Sequence, residues 1–172
     1  MQNNLNTNRL LLDPIGLSDA DFVLELVNLP DWVKYIGERQ VHSLEAAKDY
    51  ISKMTNNSKI KYWVVKLKED RTAIGVVTFI KRDYLQHHDV GFAFLPNYRK
   101  QGYAYEATVA VIDDVKRNRL SHTHILATAL EDNVKSIKLL EKLGFQFDTE
   151  IWVEDAGLLL YSLAIDKPRL EV

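Results

Sequence analysis

Residues 89 to 131 prescribe a strand, a crossover helix and a second strand. "DVGFAFL" (89–95) is bulky and β-prone, and "THILATALE" (123–131) is a second such run. Between them, "YAYEATVAVIDDVKRN" (103–118) puts Ala104, Ala107, Val111 and Val115 on one helical face and ends in a basic turn. Strands joined through a helix run parallel, and such crossovers are right-handed. The unit therefore commits the chain to an α/β or α+β fold.

The stretch "LPNYRKQGYA" (95–104) joins the first strand to the helix. Pro96 cannot continue a sheet ladder, so the strand ends there. Gly102 lets the backbone turn tightly and approach a ligand, and Ala104 keeps the first helical turn small. The first N–H groups of a helix have no internal partner and, with the helix dipole, favour an anion. Arg99 and Lys100 add positive charge. The stretch reads as a diphosphate cradle, although neither G-x-G-x-x-G nor G-x-x-x-x-G-K-[ST] is present. The same residues also make an ordinary basic β–α turn with a glycine for geometry.

The rest of the chain frames this unit. "RLLLDPI" (9–15) reads as a strand stopped by Pro14. "SDADFVLELVN" reads as a helix with Ser18 as N-cap and Asp21 in a capping-box position. "DWVKYIG" (31–37) is one or two helical turns, and "SLEAAKDYISKM" (43–54) is an amphipathic helix opened by Ser43. "KIKYWVVKLKE" and "AIGVVTFIKR" form an antiparallel hairpin. "NVKSIKLLEKLGF" (133–145) is a helix ended by Gly144, with Phe145 placed for the apolar contact of a Schellman motif. "QFDTEIWVE" and "GLLLYSLAI" make a last hairpin. The whole is one mixed sheet of about seven strands.

Composition narrows the function. The chain has 172 residues, 47% of them hydrophobic, enough for one domain with one core. A net charge of −2 argues against a nucleic-acid binder. With no cysteine, disulfides, thiolate–zinc sites and a Cys nucleophile are excluded. The start lacks a signal-peptide pattern, and no run approaches the roughly 18 apolar residues of a membrane helix. A cytoplasmic protein that needs no metal is expected.

"DVGFAFLPNYRKQGYAYEA" resembles motif A of the GNAT N-acetyltransferase superfamily, [QR]-x-x-G-x-[GA], matched by Arg99, Gly102 and Ala104. "ALEDNVKSIKLLEKLGFQF" resembles its motif B, closing in Glu141-Lys142-Leu143-Gly144-Phe145. The N-terminal blocks resemble the branch of ribosomal-protein N-terminal acetyltransferases (RimJ/RimL-like). The resemblance covers nearly the whole chain. It implies a GNAT fold: a mostly antiparallel sheet with about four helices, splayed between the motif-A strand and the following parallel strand. It implies acetyl-CoA as cofactor, with the pyrophosphate on the backbone of Arg99, Lys100, Gln101, Gly102, Tyr103 and Ala104. The pantetheine arm would pair with the backbone of Phe92 and Phe94, whose side chains need only pack in the core. Gly91 suggests a bulge that splays the strand.

The same resemblance supplies the catalytic expectations. The family's Glu before the motif-A glycine falls at Asp89, a candidate general base acting directly or through one water, or a polar residue at a strand start. His87 and His88 are neighbouring candidates, but adjacent strand residues face opposite ways. His122 and His124 would share a face. The family's motif-B tyrosine acid falls at Leu140, so that acid is missing, and Ser136 stands where the branch often has a serine. Asn133 matches the Asn that contacts the cofactor arm, and it is equally a helix N-cap. Trp32 and Tyr35 lie in the segment that forms the acceptor groove in the related branch, whereas Ile36 should pack on the core. The expected partner is an amine acceptor, a protein N-terminus or a small molecule, met by a monomer or homodimer. A non-catalytic acyl-CoA sensor on the same fold is the alternative.

Overall fold

The computed structural model describes residues 2–118 and 122–165. Its eight strands are β1 (Leu5–Asn6), β2 (Leu10–Pro14), β3 (Ile60–Leu67), β4 (Ala73–Ile80), β5 (Asp89–Phe94), β6 (His124–Ala129), β7 (Gln146–Val153) and β8 (Ala156–Ala164). Its five α-helices are α1 (Ala20–Val27), α2 (Pro30–Tyr35), α3 (Leu44–Thr55), α4 (Tyr103–Arg117) and α5 (Val134–Lys142). The strands form one sheet in the order β1-β2-β3-β4-β5-β6-β8-β7. Among the described residues only β5 and β6 pair in parallel, as the α4 crossover demands. The sequence reading missed β1, two residues long, which pairs Leu5 with Leu12. The one or two helical turns expected at "DWVKYIG" form α2, which begins a residue earlier, at Pro30, and makes a fifth helix where about four were expected.

Both faces of the sheet are covered, which explains why β3 and β4 read as near-continuous apolar runs. On one face Trp63, Val77, Phe94 and Ile125 pack against Ala107 and Val111 of α4 and Leu140 of α5. On the other, Tyr62, Val64 and Val76 pack against Val23 and Leu26 of α1, Trp32 of α2, and Ala47 and Ile51 of α3. Each large side chain so buried contributes ~1.5–3 kcal/mol.

The caps follow from residue type at three of four expected places, Asn133 before α5 among them. Ser43 Oγ accepts from Ala46 N at 3.1 Å and starts α3. At the end of α5, Phe145 N donates to Leu140 O and Gly144 N to Glu141 O, both at 3.0 Å, with Gly144 at φ 91. That is the Schellman pattern. The Ser18 cap is not formed. A 3-10 turn spans Leu17–Asp19, and Asp19 Oδ2 accepts from Gly16 N at 2.9 Å. The reason is tertiary: Asp19 is buried, and its other oxygen meets Lys66 Nζ at 3.1 Å. α1 therefore starts at Ala20.

The sheet splits where β5 meets β6. β5 is in register with β4 from Gly75 opposite Phe94 through Ile80 opposite Asp89, without a break. With β6 it is in register only at Asp89 opposite Leu126. The expected bulge at Gly91 is absent. Gly91 is required instead by Thr78, whose Oγ1 would stand 2.8 Å from any Cβ there.

Histidines close the joined end of the split. His88 stacks on Phe79 at 4.8 Å and meets His122 edge-on at 4.7 Å, while His87 lies 5.2 Å from His124. His122 and His124 thus do not share a face, because β6 begins only at His124. Burial, with His122, Lys81, Lys61 and His87 nearby, lowers the His88 pKa from 6.5 to about 4. A depressed histidine pKa means that the unfolded chain binds the proton first. The stabilisation is present above pH 6.5 and is lost as pH falls toward about 4. Thermal midpoints measured across that window should therefore fall with pH, and less steeply in His88→Gln.

Candidate functional site

The site grows from the way β5 presents its backbone. Leu95 N donates to Ile74 O at 2.9 Å, a bond that flanks the Gly75–Phe94 pair. In an antiparallel ladder this phase turns the N–H and C=O of Phe94, and of Phe92 two residues back, away from β4. They face the side where β6 belongs. At the joined end that side is filled: Leu126 N donates to His88 O at 2.9 Å. Farther along, β6 has diverged. Among the described residues, Phe92 keeps both backbone groups free of a strand partner, and Phe94 keeps its N–H free. The Phe94 carbonyl accepts from Arg99 Nε at 2.8 Å. The two phenylalanine side chains pack in the core, with the Phe94 ring seated where Gly75 has no Cβ.

Beyond Phe94 the chain makes a 3-10 turn at Pro96–Tyr98 and enters α4. Lys100 (φ 60) and Gly102 (φ 82) both take the left-handed conformation, so the loop reverses sharply. Gly102 is the N-cap of α4, and no side chain caps the helix. Its first helical bond runs from Glu106 N to Gly102 O at 3.0 Å. Among the described residues, the amides of Tyr103, Ala104 and Tyr105 have no acceptor. A fifteen-residue helix thus points an open, positive end at the mouth of the split.

The basic residues of the loop are arranged differently from the expectation. Arg99 does not lean over the helix terminus: its Nη1 meets Asp31 Oδ2 at 2.5 Å, tying the loop to α2. Gln101 Nε2 donates to Asn97 O at 2.9 Å. The charge beside Gly102 comes from Arg9, which sequence reasoning missed. Arg9 Nη1 donates to Gln101 O at 3.0 Å, and its guanidinium covers the Tyr103 ring at 4.4 Å. Glu106 holds it there, accepting from Arg9 Nε at 2.7 Å and from Thr7 Oγ1 at 2.6 Å. Arg9 and Glu106 lie far apart in the chain, and no local pattern couples them.

The other rim belongs to α5. Asn133 Oδ1 accepts from Ser136 N at 3.4 Å, so Asn133 caps the helix. Ser136 is half-buried in the first turn. Leu140 is buried in the core, fitting its side chain's chemistry. The helix α2 bridges both rims. Asp31 binds Arg99 on one side, and Lys34 Nζ binds Asp132 Oδ2 on the other at 2.6 Å. Lys34 also donates to the Tyr35 phenol at 3.1 Å. Between them Trp32 turns inward, 5% exposed, and Ile36 is 41% exposed. The expectation for Ile36 was the reverse. Pro30 at the first turn sets a helical phase that points the indole, the larger apolar group, at the core.

Asp89 lies on the α1–α3 face of the sheet, in line with Gly91 and Ala93, and is 3% exposed. Its Oδ1 accepts from Arg82 Nε at 2.9 Å. Burial pushes the Asp89 carboxyl up, Arg82 draws it back, and burial prevails. Arg82 keeps a buried carboxylate paired and aimed. Tyr84 stands beside the pair, 48% exposed, its phenol raised by its own partial burial. Neither Arg82 nor Tyr84 was expected from sequence, because the turn that brings them back has no recognisable pattern. His87 and His88 meet other histidines and are not grouped with this pair.

The comparisons agree with this geometry. The family model described as the acetyltransferase (GNAT) domain matches residues 9–146. An uncharacterized N-acetyltransferase of Bacillus subtilis (strain 168), YnaD, is 29% identical over 143 residues, spanning 83% of this chain and 82% of that protein. In fold, the chain is similar to an acetyltransferase of the GNAT family from Bacillus anthracis. The TM-score is 0.81 at 22% identity, over 96% of this chain and 100% of the other. It is likewise similar to RimL, a ribosomal L7/L12 alpha-N-protein acetyltransferase solved with coenzyme A. There the TM-score is 0.77 at 15% identity, over 95% and 99% of the two chains. With the split sheet, the open α4 terminus and both sequence motifs in place, the chain belongs to the GNAT family of acyl-CoA-dependent acetyltransferases.

Proposed function

We propose that this protein transfers an acetyl group from acetyl-CoA to a primary amine, a protein N-terminus or a small-molecule amine, by direct attack in a ternary complex. One observation carries the reading: the uncapped α4 terminus stands at the end of a β5 edge that has lost its β6 neighbour. The amides of Tyr103, Ala104 and Tyr105 suit a diphosphate. The free groups of Phe92 and Phe94 suit an amide-bearing arm laid along β5 as an added half-strand. Gly102 leaves room for that approach, since a Cβ there would already stand 3.3 Å from Arg9 Nη2. The residues present therefore fit acetyl-CoA, which when bound supplies a thioester carbonyl open to attack by an amine.

The protein's own groups divide the remaining work. The loop from Arg99 to Ala104 holds the diphosphate, with Arg9 adding charge that Arg99 spends on Asp31. The backbone N–H of Phe94 is the donor available to a carbonyl oxygen on the arm. Asp89 accepts the amine's proton, directly or through one water, and its raised pKa makes it a stronger base than a free aspartate. Ser136, beside the Asn133 cap, donates a hydrogen bond to the departing sulfur in place of the absent tyrosine. Tyr35 on α2 walls the acceptor side, with the buried Trp32 packed behind it in the core.

Thiol release from acetyl-CoA, measured against a panel of amines and N-terminal peptides, tests the reading. Tight CoA binding without acceptor-dependent release across the panel overturns it. Gly102→Val should weaken CoA binding at least ~10-fold by calorimetry, beyond its own backbone strain of ~1–2 kcal/mol read separately in the melting temperature. Asp89→Asn should lower kcat/KM by ~100-fold and remove one ionisation from the acidic limb of its pH profile. Ser136→Ala should lower kcat about tenfold, the worth of one hydrogen bond of ~1.4 kcal/mol, with the KM for acetyl-CoA unchanged.

A further inference from the structure

The connection between β4 and β5 is longer than a reversal needs. Ile80 pairs with Asp89, so residues 81–88 lie between the strands. Antiparallel neighbours are commonly joined by about two to five residues. The extra length folds back and is fixed at several points. At the near end Lys81 N donates to Lys59 O at 2.9 Å, and at the far end His88 O accepts from Leu126 N. Lys81 Nζ bonds the carbonyls of both Arg82 and Leu85, and Leu85 N donates to Arg82 O at 3.2 Å. Asp83 Oδ1 accepts from Lys59 Nζ at 2.7 Å. Leu85 is buried against Leu126 and Leu160, and Leu126 is the residue opposite Asp89. The connection is thus anchored on β6, just across from the start of β5.

What this fold-back delivers to Asp89 is Arg82. Its Nε donates to Asp89 Oδ1 at 2.9 Å, and no other side chain among the described residues bonds that carboxylate. The guanidinium uses one N–H where an arginine fork can give a carboxylate two. Its side chain keeps 35% exposure against 4% for Asp89. A buried ion pair is often no more stabilising than apolar residues of the same volume, so stability alone does not explain this one. Other charged groups are turned elsewhere. Ile80 and Leu126 are the neighbours of Asp89 across the sheet. His87, on the same face, meets His124, while His88 meets Phe79 and His122. Lys81 is held by its two carbonyls, and the Tyr84 phenol beside the pair carries no positive charge. Arg82 is the cation that opposes the protonation burial favours.

Resting on the acetyltransferase reading with Asp89 as base, we propose that Arg82 is a positioning residue for the transfer, held to that task by the Leu85 anchor. It occupies Oδ1, leaves Oδ2 to take the amine's proton, and keeps the carboxylate basic to lower pH than burial alone would allow.

The pH profile of kcat/KM for thiol release, with an amine that the panel identifies, tests it. Arg82→Gln should move the acidic limb up by about one pH unit or more, because the carboxylate loses its cation while its burial remains. Raising the pH should recover most of the rate lost at neutrality, with the KM for acetyl-CoA unchanged. Arg82→Lys keeps the charge and should move the limb less. Leu85→Ala should move it in the same direction without touching Asp89, and His87→Gln should leave it in place. A limb unmoved in Arg82→Gln overturns the proposal, whether the rate falls evenly across pH or the acceptor KM rises. The carboxyl carbon resonance of Asp89, assigned through Asp89→Asn, reads the same ionisation without turnover. Its midpoint should lie higher in Arg82→Gln than in the parent protein, and an unmoved midpoint overturns the proposal. So does a midpoint that moves while the kinetic limb does not. If no amine releases thiol, the transferase reading is what fails, and the resonance alone decides whether Arg82 governs the carboxylate. Should Arg82→Gln fail to fold, Arg82→Lys carries both readouts, with a smaller shift in the same direction expected.

Discussion

The missing neighbour of β5 governs the rest of the molecule. A strand inside a sheet must satisfy backbone groups on both sides. Beyond the Asp89–Leu126 pair β5 satisfies only one. The alternation of the ladder then decides which groups are left over, and they are those of Phe92 and Phe94. The parallel crossover needs α4, and Pro96 with Gly102 starts α4 at the open end of the gap. One topological fact therefore sets a free strand edge and a free helix terminus side by side.

The short helix α2 shows how little covalent proximity matters here. It has six residues, yet Asp31 reaches the loop after β5 and Lys34 reaches the loop before α5. In doing so it takes Arg99 away from the helix terminus, where its position in the motif suggests a phosphate ligand. Arg9 stands there instead, held by Glu106 from across the fold. The Arg82–Asp89 pair is a similar exchange. A carboxylate buried to 3% exposure is paired because an arginine from the preceding turn reaches back to it.

Much of this was legible beforehand because it depends on local chemistry. Pro14 ending β2, Ser43 opening α3, Gly144 closing α5 and the glycine entrance to α4 each follow from what one residue's backbone permits. The errors were also physical. Ser18 is a good N-cap by type, but Lys66 draws Asp19 into the cap position's work. Gly91 read as a bulge, whereas the glycine yields space to a threonine on the next strand. Ile36 and Trp32 exchanged roles because a helix of under two turns has too little periodicity to reveal its phase.

The sequence by itself determined the strand–helix–strand unit, its glycine-lined entrance, and through its two motifs the family and cofactor class. Those properties reside in consecutive residues, where backbone sterics and side-chain period act directly. Only the tertiary structure decided that β6 leaves β5 after a single pair, that Arg9 replaces Arg99 beside the helix terminus, and that Arg82 holds Asp89. Each of these is a meeting of residues from separate elements, set by packing two helical layers on one sheet, and no local preference encodes such a meeting.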